Sequence, residues 1–542
     1  MAFFSRQLPP HTWPQRRAAT VTRGLRGALL LAALSWSSLQ LHQPSWADTP
    51  PAPAPTTGPS NASRLPSLGD GNPISLGEER RLGDSIMREI LRDPDVIEDP
   101  VLADYVGGLW VRLREAAKLR GELSPELEEQ FAWELMLIRD KSVNAFALPG
   151  GYMGVHLGLI GVVSSQDELA SVLAHELSHI TQRHIARMLS QQQQQSPLMI
   201  GSLILGLLAA SRNPQAAQAM VVGGQAVAIQ TQLNFSRDME READRVGYGV
   251  ATQAGFEPAG FVSMFEKLQQ ASRLNDSGGF PYLRSHPLTT ERMADMQGRQ
   301  QLLPARIAAH ETDLQHSLLS ARSRVLAQPH VDALRHFSQD ANSPHAQPAR
   351  QAAALYAAVL ADSRLRDMAR ARERLNALTL LTQHDPVARE LVQLLSAELS
   401  LAAGQPLQAV SQLQALPPRR SVQLLLAQAR IATGLPDQGR LAAQDMQKFV
   451  SANHRDRQSW DLLGQALGVQ GETLRSLRAQ AEANALRWEF VGALDRLQAA
   501  QELARARARN GTLSRSDEME AAIIDARARA FQSARREQVL QR

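Results

Sequence analysis

Apolar residues recur along this 542-residue chain in three rhythms, and each rhythm predicts a different kind of element. Residues 48–74 have no rhythm: proline, serine, glycine and asparagine dominate, and the stretch reads as a linker without a core. A charged amphipathic helix begins near Leu76, and a second is predicted from Pro100 through Leu113. Residues 131–138 then alternate in part, as a half-buried strand does. Residues 144–148 and 152–155 follow, joined through Pro149-Gly150-Gly151, a turn signal. The pattern predicts a small sheet ending in a hairpin. Helical spacing returns at 165–179, where Leu169, Val172 and Leu173 share one face. Ser165 suits the N-cap, and Glu168 stands three residues on, the spacing of a capping box.

A polar run at 191–195 marks a helix end or a loop. The apolar run 197–210 is short of the roughly 20 residues a bilayer span needs. It suits a core helix or hydrophobic hairpin, with contact to a membrane surface as the minor alternative. From about residue 305 helix follows helix without any alternating pattern. Helix-ending glycines fall at Gly404, Gly434 and Gly471, 30 and 37 residues apart, bracketing the 34-residue period of a tetratricopeptide repeat. Trp460, Leu463, Gly464 and Leu467 match the first-helix signature of that repeat, and Pro417-Pro418 falls where a unit would end. Degenerate repeats are expected; an irregular helical bundle is the alternative.

Length alone implies at least two domains. The abundance of alanine, leucine, glutamine and arginine, with only 5% aromatic residues, favours helix. The formal charge of +4 would point toward nucleic acid, but residues 1–47 hold five arginines and no acid. The remainder carries 53 basic and 54 acidic residues, so no nucleic-acid partner is expected. Residues 1–47 have the layout of a secretory signal: arginines, an apolar run at 28–34, then Ser45-Trp46-Ala47 with small residues at the cleavage-determining positions. The basic region is long, and Val21 is an alternative start. A membrane anchor fits poorly because the apolar run is too short, and the context of Arg16-Arg17 is poor for a twin-arginine signal. With no cysteine, no disulfide is used.

The helix at 165–179 ends in His175-Glu176-Leu177-Ser178-His179. Two histidines four apart project from one helical face and can grip one zinc ion, and Glu176 lies where a carboxylate can take a proton from the attacking water. Two surface histidines would be the bland alternative, but the apolar flanks suit a buried helix. A catalytic zinc needs a third protein ligand. Glu240, Asp244 and Gly247 lie at i, i+4 and i+7 on one face of a second predicted helix. Glu240 can complete a His-His-Glu set, Asp244 can accept a hydrogen bond from a ligand imidazole, and Gly247 would let the helices approach closely. Glu242 points elsewhere and reads as a solvated neighbour.

H-E-x-x-H at 175–179 and S-R-x-x-E-x-E-A-D at 236–244 resemble the M48 metallopeptidases. N-A-F-A-L-P-G-G-Y at 144–152 is similar to that family's edge-strand motif, and S-H-P-L-T-T-E-R at 285–292 to its downstream motif. Four motifs in order are far more specific than H-E-x-x-H alone. The resemblance implies an α+β zincin-like metalloprotease domain over 75–304, mostly helical with a small sheet. An all-α tetratricopeptide-like repeat domain would follow over 305–542, behind the signal peptide at 1–47 and the linker at 48–74. Membrane-spanning members carry several long apolar helices that this chain lacks, which removes a prenyl-protein substrate.

With a signal and a repeat-like tail, the likeness is to the periplasmic members that serve outer-membrane β-barrel assembly. It implies one Zn2+ per chain held by His175, His179 and Glu240, with Glu176 as general base and Asp244 and Arg292 behind them. Asn144, Ala145 and Phe146 would bind substrate along an edge strand. His286 has two readings: a donor to the oxyanion of the tetrahedral intermediate, or a fourth ligand that holds the enzyme latent. The expected function is a periplasmic zinc endopeptidase that degrades misassembled outer-membrane proteins, its repeats binding substrate or the β-barrel assembly machinery. The alternative is a chaperone or scaffold whose zinc site is mostly masked. A third reading, a lipid-surface enzyme, rests on 197–210 alone.

Overall fold

The computed structural model describes residues 74–191, 236–274, 280–301, 313–342 and 347–540. The signal segment, the linker up to residue 73 and the apolar run at 197–210 lie outside them.

Helix α1 (Leu76–Ile90) opens with a reciprocal capping box between Ser75 and Glu78. A two-residue strand β1 (Val96–Ile97) leads to α2 (Pro100–Leu119), capped by Asp99 with proline in its first turn, and α3 (Pro125–Gln130). Helix α2 runs beyond the expected end at Leu113 because Ala116 and Ala117 continue its buried face. Strands β2 (Glu134–Ile138), β3 (Ala145–Leu148) and β4 (Tyr152–His156) match the expected sheet. The order is β1-β2-β4-β3, with β2 and β4 parallel and the other pairs antiparallel. Strand β3 therefore stands at the edge of the sheet, with no further strand beside it among the described residues. Gly150 and Gly151 make the hairpin turn at φ of 76° and 85°, a region glycine enters at little cost.

Helix α4 (Leu157–Val162) follows, then α5 (Gln166–Thr181) and α6 (His184–Gln191). Ser165 caps α5 as expected, but Glu168 closes only half of the capping box. Its carboxylate accepts the Ser164 N–H at 2.6 Å and pairs with Lys267. Next come α7 (Arg237–Gln253), α8 (Ala259–Leu274), α9 (Tyr282–Ser285) and α10 (Thr290–Gln301).

The C-terminal half is helical throughout the described residues: α11 (Leu314–Ala327), α12 (Val331–Asp340), α13 (Pro348–Arg364), α14 (Met368–Thr382), α15 (Pro386–Ala402) and α16 (Pro406–Gln414). It continues through α17 (Arg420–Ala432), α18 (Pro436–Ala452), α19 (Arg457–Val469), α20 (Thr473–Leu486), α21 (Phe490–Arg509) and α22 (Arg515–Leu540). Gly404, Gly434 and Gly471 each follow a helix with positive φ, the helix-ending role their spacing suggested. On α19, Gly464 lets α20 approach to the Ser476 carbonyl, and Leu463 and Leu467 are buried.

The two halves share a core. One cluster of buried apolar residues runs from α2 through β2–β4 and α5 into α11, α13, α15 and α17. A second joins α1, the sheet and Leu189, with Trp488 from beyond α20 packed edge-on to Tyr152. No described helix is long and apolar enough to cross a membrane.

Candidate metal centre

Helix α5 is buried from Glu168 through Thr181, so it runs through the core rather than along the surface. His175, Glu176 and His179 are 2%, 0% and 0% exposed, which disposes of the surface-histidine alternative. Helix α7 lies against it: a Cβ on Gly247 would meet the Ala174 carbonyl oxygen at 3.0 Å. That approach brings Glu240 and Asp244 beneath the two histidines.

His175 Nε2 lies 3.0 Å from His179 Nε2, 3.3 Å from His286 Nδ1 and 3.5 Å from Glu240 Oε2. Glu240 Oε1 lies 3.4 Å from His179 Nε2 and 2.9 Å from His286 Nδ1. Zinc bonds of roughly 2.0–2.1 Å in a tetrahedron put the ligand atoms about 3.3–3.4 Å apart. The distances above run from 2.9 to 3.5 Å, close to that figure, and all four residues are buried. Three imidazole nitrogens and a carboxylate oxygen that converge on one point are a donor set suited to zinc.

The surroundings orient each ligand. His175 Nδ1 sits 2.9 Å from Asp244 Oδ1, and Arg292 grips both oxygens of Asp244 at 2.6 and 2.8 Å. Arg292 also donates to the Pro287 carbonyl at 2.8 Å and ion-pairs with Glu240, so it ties the His286 loop to α7. Tyr282 stacks on the His286 ring at 4.6 Å between centroids. Burial alone would lower the pKa of His175, but Asp244 and Glu240 override it and push it up to about 10. Burial dominates at His179 and holds it well below the usual histidine range. Burial would raise Glu240, yet the charge of His286 and its hydrogen bonds to His175, His179 and His286 hold it well below the usual carboxylate range.

Glu176 faces the cluster from the side of the sheet. Its Oε2 accepts the Ala147 N–H at 3.0 Å, and its buried Oε1, without a hydrogen-bond partner, lies 3.4 Å from His286 Nε2. The Asn144 carbonyl is spent on His156 of β4, so strand alternation turns Ala145 and Ala147 outward. Of the three expected substrate-binding residues, Asn144 and Ala145 have buried side chains and Phe146 lies over Gly154 of β4. What β3 presents toward the site is backbone, and the nearest is Ala147.

Glu242 corrects the expectation of a solvated neighbour. Its Oε2 lies 3.1 Å from His184 Nε2 and accepts from Arg187 at 2.8 Å. The His184 hydrogen bond, the largest influence, holds its carboxyl at about 2. His184 was invisible to periodicity. It lies five residues after His179, the wrong face of a continuous helix, and is turned back only because the helix breaks at Arg183, whose φ is 52°.

A buried H-E-x-x-H helix, a glutamate from a second helix and a sheet edge beside them define a zincin-like metallopeptidase. The chain belongs to peptidase family M48, whose description matches residues 115–300. It is 30% identical to the β-barrel assembly-enhancing protease of Yersinia pestis, over 79% of this chain and 86% of that one. Identity to the protein of that description from Escherichia coli K12 is 29%, over 81% of this chain and 87% of the relative. The mitochondrial metalloendopeptidase of Saccharomyces cerevisiae is 28% identical over 36% of this chain and 55% of its own length.

Proposed function

We propose that this metallopeptidase is a zinc endopeptidase of the periplasm that acts in outer-membrane β-barrel assembly and degrades misassembled proteins. The observation that carries the zinc reading is the set of four buried residues whose candidate ligand atoms all lie within 4.8 Å of one another. When bound, zinc supplies Lewis acidity for the scissile carbonyl and for the attacking water. His175, His179 and Glu240 hold it; Glu176 takes the proton through Oε1 and returns it to the departing amine. Extended substrate adds along the edge of β3, pairing with the backbone of Ala145 and the Ala147 carbonyl, while the Ala147 N–H stays with Glu176. Asn144 and Phe146 flank that edge.

His286 supports latency better than it supports an oxyanion donor. Its Nδ1 lies 2.9 Å from Glu240 Oε1 and 3.3 Å from His175 Nε2, where it would serve as a fourth ligand, and four protein ligands would leave no position for water or substrate. Substrate cleavage then requires the His286 loop to withdraw. The role in β-barrel assembly comes from the likeness to the assembly-enhancing proteases, and the periplasm from the signal-like layout of residues 1–47. On the same footing, a signal peptide over 1–47, a linker over 48–74 and tetratricopeptide-like repeats that bind substrate or assembly machinery complete the proposal. The closed site also favours a second reading, a scaffold with masked zinc.

Casein digestion by the purified chain, with metal content measured in parallel, separates the two. Glu176→Gln should retain zinc and lose about 10²–10⁴-fold in rate. Equal rates in both, with His286→Ala equally inactive, would favour the scaffold.

A further inference from the structure

Behind His179, on the side away from the ligand cluster, lies a chain of polar contacts that the peptidase chemistry does not itself require. His179 Nδ1 is 2.8 Å from His184 Nδ1, and His184 Nε2 is 3.1 Å from Glu242 Oε2. The rings stand edge to face, 4.9 Å between centroids. Glu242 in turn accepts from Arg187.

With Nε2 of His179 directed at the ligand cluster, its proton sits on Nδ1 and is donated. His184 Nδ1 must then accept, which leaves the His184 proton on Nε2, aimed at the carboxylate of Glu242. That arrangement of protons satisfies all three of these contacts.

The backbone is bent to make this contact. Arg183 takes a left-handed conformation, φ 52°, costly for any residue with a Cβ. That conformation is held from outside: Arg183 donates to the buried Glu79 at 2.9 Å and to the Ile74 carbonyl. Relaxed to helical φ, α5 would continue and His184 would leave His179. His184 is fully buried, so its ring nitrogens meet protein groups rather than solvent. Asp244, held by Arg292, plays the equivalent part behind His175, so both histidine ligands have a carboxylate behind them, one directly and one through a second imidazole.

We propose that His184 and Glu242 are positioning residues that fix the tautomer and ring orientation of His179 and set the affinity of the site for zinc. The proposal rests on the reading that His175, His179 and Glu240 hold that ion.

The test is zinc affinity of the full chain, measured by competition with a chelator of known strength, alongside the visible spectrum of the cobalt-substituted protein. His184→Ala should bind zinc about 10- to 100-fold more weakly. His184→Asn, whose amide oxygen can take the place of Nδ1, should recover to within about threefold of the parent. Glu242→Gln, at a half-buried position that tolerates the change, should lose about three- to tenfold, because the acceptor remains and the charge does not. The cobalt spectrum should shift in His184→Ala and return in His184→Asn.

Parent-like affinity in His184→Ala, or an asparagine variant as weak as the alanine one, overturns the proposal. If His184→Ala does not fold, Glu242→Gln decides: unchanged affinity overturns it, and the stated loss supports it. A parent chain that takes up no zinc removes the zinc reading itself, a result distinct from equal binding by parent and variants.

Discussion

His286 is the residue whose role the geometry narrows most. As a fourth ligand it blocks the position that a scissile carbonyl needs, so His286→Ala should raise the rate of casein hydrolysis; as an oxyanion donor its loss should cost about 10²–10³-fold. A proteolysis time course on parent and variant at equal zinc content reads the sign directly. The ligand residues themselves were legible because H-E-x-x-H and E-x-x-x-D encode their faces in helical spacing. Spacing could not give the charge that acts on them: Arg292 reaches Asp244 across 48 positions and is expected there only through the resemblance of the 285–292 motif. His156 carries a different prediction. It is 1% exposed, bonded to Ser142 at 3.0 Å, and burial holds its pKa down at about 4 although Asp140 at 3.7 Å works the other way. A depressed histidine is neutral when folded and protonated when unfolded below its ordinary value of about 6.5. The unfolded chain therefore binds the extra proton, and stability falls as pH drops from about 6.5 to about 4, then levels for this group. The full loss is about 3 kcal/mol, at about 1.4 kcal/mol for each pH unit between about 6.5 and about 4. Urea midpoints at pH 7 and pH 4.5 should differ less in His156→Asn, whose amide can keep the Ser142 contact.

At the scale of elements, the site depends on how closely α7 can lie on α5. Gly247 makes that possible: an added Cβ would come within 3.0 Å of the Ala174 carbonyl and 3.1 Å of the His175 nitrogen, both backbone atoms that cannot swing aside. Gly247→Ala should cost about 1–3 kcal/mol of stability. It should also weaken zinc retention, because α7 carries Glu240 and Asp244 outward together; a thermal melt and a metal assay on the same sample check both effects. Unchanged zinc content at a lowered melting point would place the glycine in packing alone. The elements that could be read from the chain are those whose signal is local. The β3–β4 hairpin shows itself through Pro149-Gly150-Gly151, and α5 through Ser165 and its apolar face. Strand β1 has two residues and no periodicity to read. The parallel pairing of β2 with β4 was equally hidden, because β3 intervenes in sequence and the register depends on partners rather than on pattern.

For the whole molecule, the division near residue 304 marks a change in composition rather than a gap in packing. His316 of α11 contacts the Tyr105 hydroxyl at 2.7 Å and the Val163 carbonyl at 2.9 Å. Leu318 and Leu319 join the core that holds α5. A buried face on α11 looks the same in sequence whichever neighbour covers it, which is why the shared core could not be foreseen. The clearest link is Arg322, 3% exposed, which bonds Asp99 at the start of α2 at 2.7 Å and Glu398 of α15 at 2.6 Å. Farther along, Arg457 pairs with Glu134 of β2, and Ser421 donates to Asp104 at 2.8 Å, so the helical half grips the peptidase half at several points. Removing one member of a buried charge cluster leaves the others unpaired, at about 3–5 kcal/mol. Arg322→Ala should therefore lower stability by about that amount. Because Asp99 and Glu398 sit in different halves, both halves should weaken together. Urea unfolding followed by tryptophan fluorescence and by helical circular dichroism should give coincident transitions in the parent chain and in Arg322→Ala, with the variant's midpoint lower. Two separated transitions in the parent would show that the halves fold independently, and the shared core would then contribute little to holding the β3 edge and the His286 loop in place.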